Sequence, residues 1–212
     1  MLHASTSKDD GQISKAKRSK TEDNCPCSGK CLTSRCVCVK AKRDCGSTCK
    51  CKSKCKNVFG HLEYFFGADT TCDINPCFEQ WLMKNAKNGV ETIDRNALRD
   101  QITSSANFAD SALAEEWKDD DAEEDDISKT QELFRIVFSR SSDLYYSFCD
   151  NELLEDDSYW HCDICKTCNK WRFWHCDKCN KCTYGQSLPC ERCGRSSAES
   201  SDESESPFFP FF

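Results

Sequence analysis

The sequence predicts small, irregular, zinc-stabilised modules flanking a mainly α-helical middle region, with disordered termini. Three observations predict it. Seventeen of the 20 cysteines fall in two blocks, residues 25–55 and 162–193. Between the blocks, apolar residues recur at helical spacing. Outside them, residues 1–24 and 195–206 are polar and aperiodic, as chain that cannot bury a core.

Length suits one or two small domains. No stretch approaches the ~20 consecutive apolar residues of a membrane span, so no membrane is expected as a partner. The first residues, MLHASTSKDDGQ, have no apolar run and do not read as a secretory signal. The thiols are therefore expected to bind metal rather than pair as disulfides. Net charge is −7, divided as +9 over residues 1–60 and −16 over the remainder. A basic head on an acidic body is a common layout where one end of a chain meets nucleic acid.

Residues 1–24 are expected to be a disordered basic tail. Lys15–Lys20 is a short basic cluster: a nuclear localisation signal, extra phosphate contacts, or a solvated tail.

Residues 25–60 form the first module. CPCSGKCLTSRCVCVKAKRDCGSTCKCKSKC places nine cysteines in 31 residues, with only Leu32, Val37, Val39 and Ala41 as other apolar residues. So short and polar a peptide cannot close a hydrophobic core. An odd number of cysteines would leave one thiol over from disulfides, whereas thiolates suit tetrahedral zinc. Cys25, Cys27, Cys31, Cys36, Cys38, Cys45, Cys49, Cys51 and Cys55 fill the twelve positions of three zinc ions if three of them bridge. Nine surrounding cations, opposed only by Asp44, leave the loaded module net basic by about +5.

The spacing resembles the CXC (tesmin-type, cysteine-rich) family, a nine-cysteine, three-zinc DNA-binding module. Male-specific-lethal-type proteins and the pre-SET region of histone methyltransferases have similar clusters. The likeness covers about Cys25 to Gly60. Tesmin-type proteins usually carry two such modules and an aromatic DNA-contacting residue before the fourth cysteine. This chain has one module and Arg35 there, and no SET domain follows. The resemblance implies duplex DNA as partner. Lys30, Arg35, Lys40 and Lys42 are the expected phosphate or groove-edge contacts.

Residues 61–118 are expected to be helical. After the apolar patch of Val58, Phe59, Leu62, Tyr64, Phe65 and Phe66, Pro76 suits a first helical position. Phe78, Trp81, Leu82 and Ala86 then recur at helical spacing. Gly89 breaks the run, and Thr92 caps a second helix bearing Ile93, Ala97, Leu98 and Ile102. Cys72 and Cys77 read as ordinary buried thiols. Residues 119–127 are an acidic linker, either solvated or aimed at a basic partner. Residues 128–156 read as a further helix, opened by the capping box of Ser128 and Gln131. It bears Leu133, Phe134, Ile136, Val137 and Phe138, and Tyr145, Tyr146 and Phe148 continue its apolar face. The helices should form a small bundle or pack on a zinc module.

Residues 160–194 form the second module. Its candidate ligands are Cys162, Cys165, Cys168, His175, Cys176, Cys179, Cys182, Cys190 and Cys193. A two-residue spacer turns both sulfurs of a pair towards one ion. One site would be Cys162, Cys165, His175 and Cys182. The other would be Cys176, Cys179, Cys190 and Cys193, leaving Cys168 spare. The rival pairing uses Cys165 and Cys168 as the first pair. His161 reads as a neighbouring surface residue, and Trp171, Phe173 and Trp174 as core around the metals. The block resembles the CTCHY-type zinc finger found beside RING domains in some ubiquitin ligases, through its C-x2-C-x2-C runs and Trp174-His175-Cys176. It is also similar to the cysteine-rich segment of DHHC acyltransferases, but lacks Asp-His-His-Cys. The tail, 195–212, is acidic and expected to be disordered. Its PFFPFF ending reads as a docking peptide or an inert end.

The expectation is a nuclear, zinc-binding protein with about five zinc ions. It would be DNA-binding or chromatin-associated through the first module, with a role in transcription regulation. The second module would serve protein interaction. The alternatives are a ubiquitin-ligase accessory and a zinc-organised scaffold without DNA binding. No catalytic residue is identified: no site combines three ligands with a nearby Glu base, and no RING centre is found.

Overall fold

The computed structural model describes residues 24–68, 72–119, 126–155, 157–185 and 190–194. The expected basic tail before Asn24, residues 120–125 of the acidic linker and the acidic tail 195–212 lie outside the described residues. No helix among the described residues is long and apolar enough to cross a membrane.

The nine-cysteine module is loops and turns around a short α-helical turn, α1 (Val37–Lys40), and a 3-10 turn at Lys52–Lys54. The next segments are a turn at Val58–Gly60 and the short helix α2 (Glu63–Phe66). Asn57 joins the cysteine module to these helical segments. It is fully buried. Its side-chain amide donates to the Arg43 carbonyl at 2.8 Å, and its Oδ1 accepts from the Phe59 N–H at 3.2 Å. Val58 and Phe59 then enter the same core as the cysteines and the helices.

Helix α3 (Pro76–Asn85) starts where the sequence predicts. Proline at the first position has no N–H to leave unsatisfied, and Asn75 Oδ1 accepts from the Phe78 N–H at 2.8 Å. Helix α4 (Arg95–Thr103) is capped by Asp94 and not by Thr92. Asp94 Oδ1 accepts from the Asn96 and Ala97 N–H groups, whereas Thr92 lies in a 3-10 turn and bonds the Gly89 carbonyl. The carboxylate is the better cap because it also complements the positive helix end. Two short helices come next, α5 (Ala106–Ala109) and α6 (Ala112–Asp119).

Helix α7 (Asp126–Phe138) is the axis of the core, burying Leu133, Phe134, Val137 and Phe138. It begins two residues before the expected capping serine and stops at Phe138. Tyr145 and Tyr146 therefore do not continue its face. They lie on strand β1 (Leu144–Ser147), paired with β2 (Glu152–Glu155), and Phe148 sits in the intervening turn. Tyr and branched residues side by side fit a pleated surface as well as a helix, and four-residue strands are too short to set a period. Phe78 stacks on Phe138 with centroids 3.9 Å apart and planes at 4°. Phe65, Phe66 and Phe134 complete this aromatic core.

The second cysteine block is not irregular. It consists of two successive antiparallel hairpins, β3 (Tyr159–Cys162) with β4 (Thr167–Lys170) and β5 (Phe173–Cys176) with β6 (Lys181–Tyr184). A last turn, α8 (Glu191–Gly194), ends the described chain. The two hairpins are a repeat: Trp160-His-Cys-Asp-Ile-Cys-Lys-Thr-Cys168 is matched by Trp174-His-Cys-Asp-Lys-Cys-Asn-Lys-Cys182. Each turn includes a residue in the left-handed region, Lys166 (φ 62) and Asn180 (φ 52), and Asn151 (φ 61) does the same in the β1–β2 turn. Trp171 is not core around a metal. It is 60% exposed, while Phe173 and Trp174 are half-buried.

Candidate metal centres

In the first module, Cys25 is common to three four-thiol groups: Cys25, Cys27, Cys31 and Cys36; Cys25, Cys31, Cys45 and Cys51; and Cys25, Cys36, Cys38 and Cys45. Overlapping sets are what a cluster with shared thiolates requires. The Sγ separations are 3.9 Å from Cys25 to Cys31 and to Cys45, 3.7 Å from Cys25 to Cys51, and 3.7 Å from Cys38 to Cys49. A tetrahedron with metal–sulfur bonds of ~2.3 Å, the value for zinc, has edges of about 3.8 Å. A disulfide would need about 2.05 Å, and every described cysteine is free of one. Burial pushes the Cys27, Cys31, Cys38 and Cys45 thiols up, and backbone donors favour the thiolate at Cys36 alone of the shifted thiols in this module. Burial pushes the Cys36 thiol up, but N–H groups of Val39 and Cys38 outweigh it and bring the group down to about 7. Asn57 also supports the cluster, donating from its side chain to Cys45 Sγ and from its backbone to Cys55 Sγ. The sequence gives no sign of this asparagine, because nothing in its spacing ties it to the cysteines.

In the second module, the structure brings together Cys162, Cys165, His175 and Cys182. His175 Nδ1 lies 3.6 Å from Cys162 Sγ and 3.4 Å from Cys165 Sγ. Its cross-strand partner in the hairpin register is Cys182. The Cys165 N–H donates to Cys162 Sγ at 3.3 Å. Burial raises the Cys162 thiol, but the Cys165 and Ile164 N–H groups bring it to about 7. Next to this set, Cys176 Sγ lies 3.7 Å from Cys193, and Cys179 Sγ lies 3.7 Å from Cys190. The Cys179 N–H holds Cys176 at about 6. The hairpins thus bring together Cys162, Cys165, His175 and Cys182, with Cys176 and Cys179 each beside a cysteine of the last segment.

Cys168, left spare by that pairing, lies with Cys77, Cys149 and His161. Cys77 is buried, as its sequence context suggests, but it is not an isolated thiol. His161 is also buried and not a surface residue. Its Nδ1 lies 3.4 Å from Cys168 Sγ. A hydrogen bond from the Cys77 thiol is the first cause that holds Cys168 down, to about 4, and the same contact pushes Cys77 up. The signal available in the sequence is the repeat: His161 and Cys168 stand where His175 and Cys182 stand, so the two pairs should act alike.

The residues expected to meet DNA are spread over the first module. Lys30, Arg35 and Lys40 are exposed. Lys42 is exposed as well, but its Nζ is tied to Glu79 Oε2 of α3 at 2.7 Å.

Across the described residues, sets of Cys and His are positioned to bind metal ions, with helices between them. Comparison with family models, curated proteins and solved structures finds no match for this chain.

Proposed function

We propose that this chain is a nuclear zinc-binding protein that contacts duplex DNA through its first cysteine module. Three zinc ions would fill the nine-thiolate cluster and two the sites of the second module. Thiolate and imidazole donors at tetrahedral spacing suit zinc, and closed four-ligand sites are structural rather than catalytic.

The observation that supports the DNA reading is the exposure of the module's cations. Its apolar groups Val39, Val58 and Phe59 are buried in the common core with the cysteines. Its cations Lys30, Arg35, Lys40, Arg43, Lys50, Lys52 and Lys54 remain exposed. The module thus exposes positive charge, while most acidic residues lie elsewhere in the chain. Such a surface meets phosphates, and each neutralised phosphate releases counterions.

The test is fluorescence anisotropy on a labelled random duplex over a salt series. The wild type should lose affinity steeply with salt. A Lys30→Ala/Arg35→Ala/Lys40→Ala protein should bind more weakly, with a log–log salt slope lower by about 0.9 for each phosphate no longer neutralised. Absent binding, or a slope the triple substitution leaves unchanged, would overturn the reading.

A protein-binding role for the second module is supported by a different observation. Trp171 and Tyr184 are 60% and 54% exposed, and Arg172 lies 4.7 Å over the Trp171 ring. Exposed aromatics beside an arginine are the residues that anchor protein contacts. Loss of pull-down partners on Trp171→Ala, with metal content unchanged, would support it. Identical pull-downs would remove it.

A further inference from the structure

Cys77, Cys149, His161 and Cys168 come from three separate parts of the fold: the start of α3, the β1–β2 turn and the β3–β4 hairpin. Their ligand atoms all lie within 4.8 Å of one another. We propose that this set binds a further zinc ion, in a three-sulfur, one-nitrogen tetrahedron, and that the ion clamps the C-terminal hairpins onto helix α3.

The edge lengths fit. Cys77 and Cys149 Sγ are 3.9 Å apart, and His161 Nδ1 is 3.8 Å from Cys149 and 3.4 Å from Cys168. With zinc–sulfur bonds of ~2.3 Å and zinc–nitrogen bonds of ~2.0–2.1 Å, a tetrahedron has sulfur–sulfur edges of about 3.8 Å and sulfur–nitrogen edges of about 3.6 Å. The neighbouring His175 site has sulfur–nitrogen edges of 3.4 and 3.6 Å.

The histidine is held in the tautomer that a metal needs. Gln80 donates its side-chain amide N–H to the Lys166 carbonyl at 3.2 Å, which turns its Oε1 towards His161 Nε2, also at 3.2 Å. A carbonyl oxygen only accepts, so Nε2 carries the hydrogen and Nδ1 presents its lone pair to the three sulfurs. Second-sphere bonds of this kind fix the ring of a metal-binding histidine. His175 is arranged alike, with Nε2 3.3 Å from Asn180 Oδ1.

The hairpin repeat points the same way. His161 faces Cys168 across the β3–β4 ladder as His175 faces Cys182 across β5–β6. In the later hairpin, the His–Cys pair completes its set with two cysteines from the hairpin before it, Cys162 and Cys165. For the earlier hairpin the preceding elements are β1–β2 and α3, and these supply Cys149 and Cys77. The Phe148 N–H donates to Cys77 Sγ at 3.2 Å, as the Cys165 N–H donates to Cys162 Sγ. The array thus begins in the helical unit rather than at Cys162. Few apolar residues bind the two parts otherwise: Tyr159 and Cys168 pack on Cys77, Tyr145 and Leu154.

The test uses the full chain, purified with zinc, and does not depend on DNA binding. Metal content is measured for the wild type, Cys149→Ser and Cys168→Ser. Cys149 lies in an exposed turn, so its substitution should leave the circular dichroism spectrum intact. Each variant should carry about one zinc ion fewer than the wild type. Alkylation of Cys149, followed by peptide mass spectrometry, should be slow in the loaded protein and about tenfold or more faster after chelation. Equal zinc in wild type and both variants would overturn the site. So would a Cys149 that alkylates at the same rate before and after chelation, or a Cys77–Cys149 disulfide in the loaded protein.

Discussion

Lys42 and Glu79 meet at 2.7 Å across the seam between the cysteine cluster and helix α3. Lys42 is the one of the four expected DNA contacts whose ammonium is seen paired with a carboxylate of α3, although its backbone, at φ 53, is left-handed like that of Lys30 at φ 51. Its ammonium is thus engaged before any nucleic acid arrives. Lys42→Ala should change duplex affinity little, while Arg35→Ala weakens it and lowers the salt slope by about 0.9. Anisotropy on the two single variants separates these outcomes. The ion pair is partly exposed, so its loss should cost roughly 0–1 kcal/mol of stability.

Cys25 and Cys27 should respond differently to replacement, though they are neighbours in the C-x-C pattern. Cys25 belongs to three overlapping thiol groups, whereas Cys27 is half-buried and belongs to one of them. Cys27→Ser should release about one ion, since only one tetrahedron loses a ligand. Cys25→Ser should release more than one ion, because its sulfur belongs to several overlapping groups. With no independent apolar core, the module should unfold with its metal. Native mass spectrometry of the two variants reads the metal count, and proteolysis between residues 25 and 56 reads the unfolding.

What the sequence makes legible here is chemistry of fixed short spacing. The cysteine blocks and the Pro76 helix start derive from neighbours a few residues apart, and the set of Cys162, Cys165, His175 and Cys182 from short motifs within one cysteine block. What stays hidden depends on distance along the chain. Cys77 and Cys149 lie 72 residues apart, and no spacing rule joins them. Thr92 and Asp94 are both good caps by residue type, and the extended backbone at residue 94 decides between them. The hairpins escape notice because four-residue strands interrupted by Cys and His show no alternation. Fold and site are thus coupled: candidate ligands that close a hairpin are read locally, and candidate ligands that join two units are not.

Phe78 should be the most costly single truncation in the helical unit. It is fully buried, stacks face to face on Phe138, and meets Phe65 and Phe66 edge on. It also belongs to the helix that carries Cys77 and Gln80, so its packing positions both. Phe78→Ala should cost about 3–5 kcal/mol, from the forfeited transfer energy and the cavity left behind. Phe78→Leu should keep most of the volume and cost less. Urea titrations of the zinc-loaded proteins measure both. Equal midpoints for wild type and Phe78→Ala would show that this aromatic stack is not what holds the unit.

Asn180 offers a way to weigh a second-sphere bond apart from backbone strain. Its Oδ1 lies 3.3 Å from His175 Nε2, and its φ of 52 is a conformation that most side chains resist. Asn180→Ala would therefore mix two effects, loss of the acceptor and a strained turn. Asn180→Gly separates them, because glycine adopts positive φ freely while still removing the oxygen. Without that acceptor the imidazole can protonate at Nδ1 and turn from the sulfurs, so the ion held by Cys162, Cys165, His175 and Cys182 should bind about 10–100-fold more weakly. Asn180→Asp keeps both the acceptor and a side chain tolerant of the turn, and should hold the ion at least as tightly. Competition against a coloured chelator ranks the three proteins. If Asn180→Gly retains the ion as the wild type does, Nε2 needs no acceptor to keep His175 a ligand.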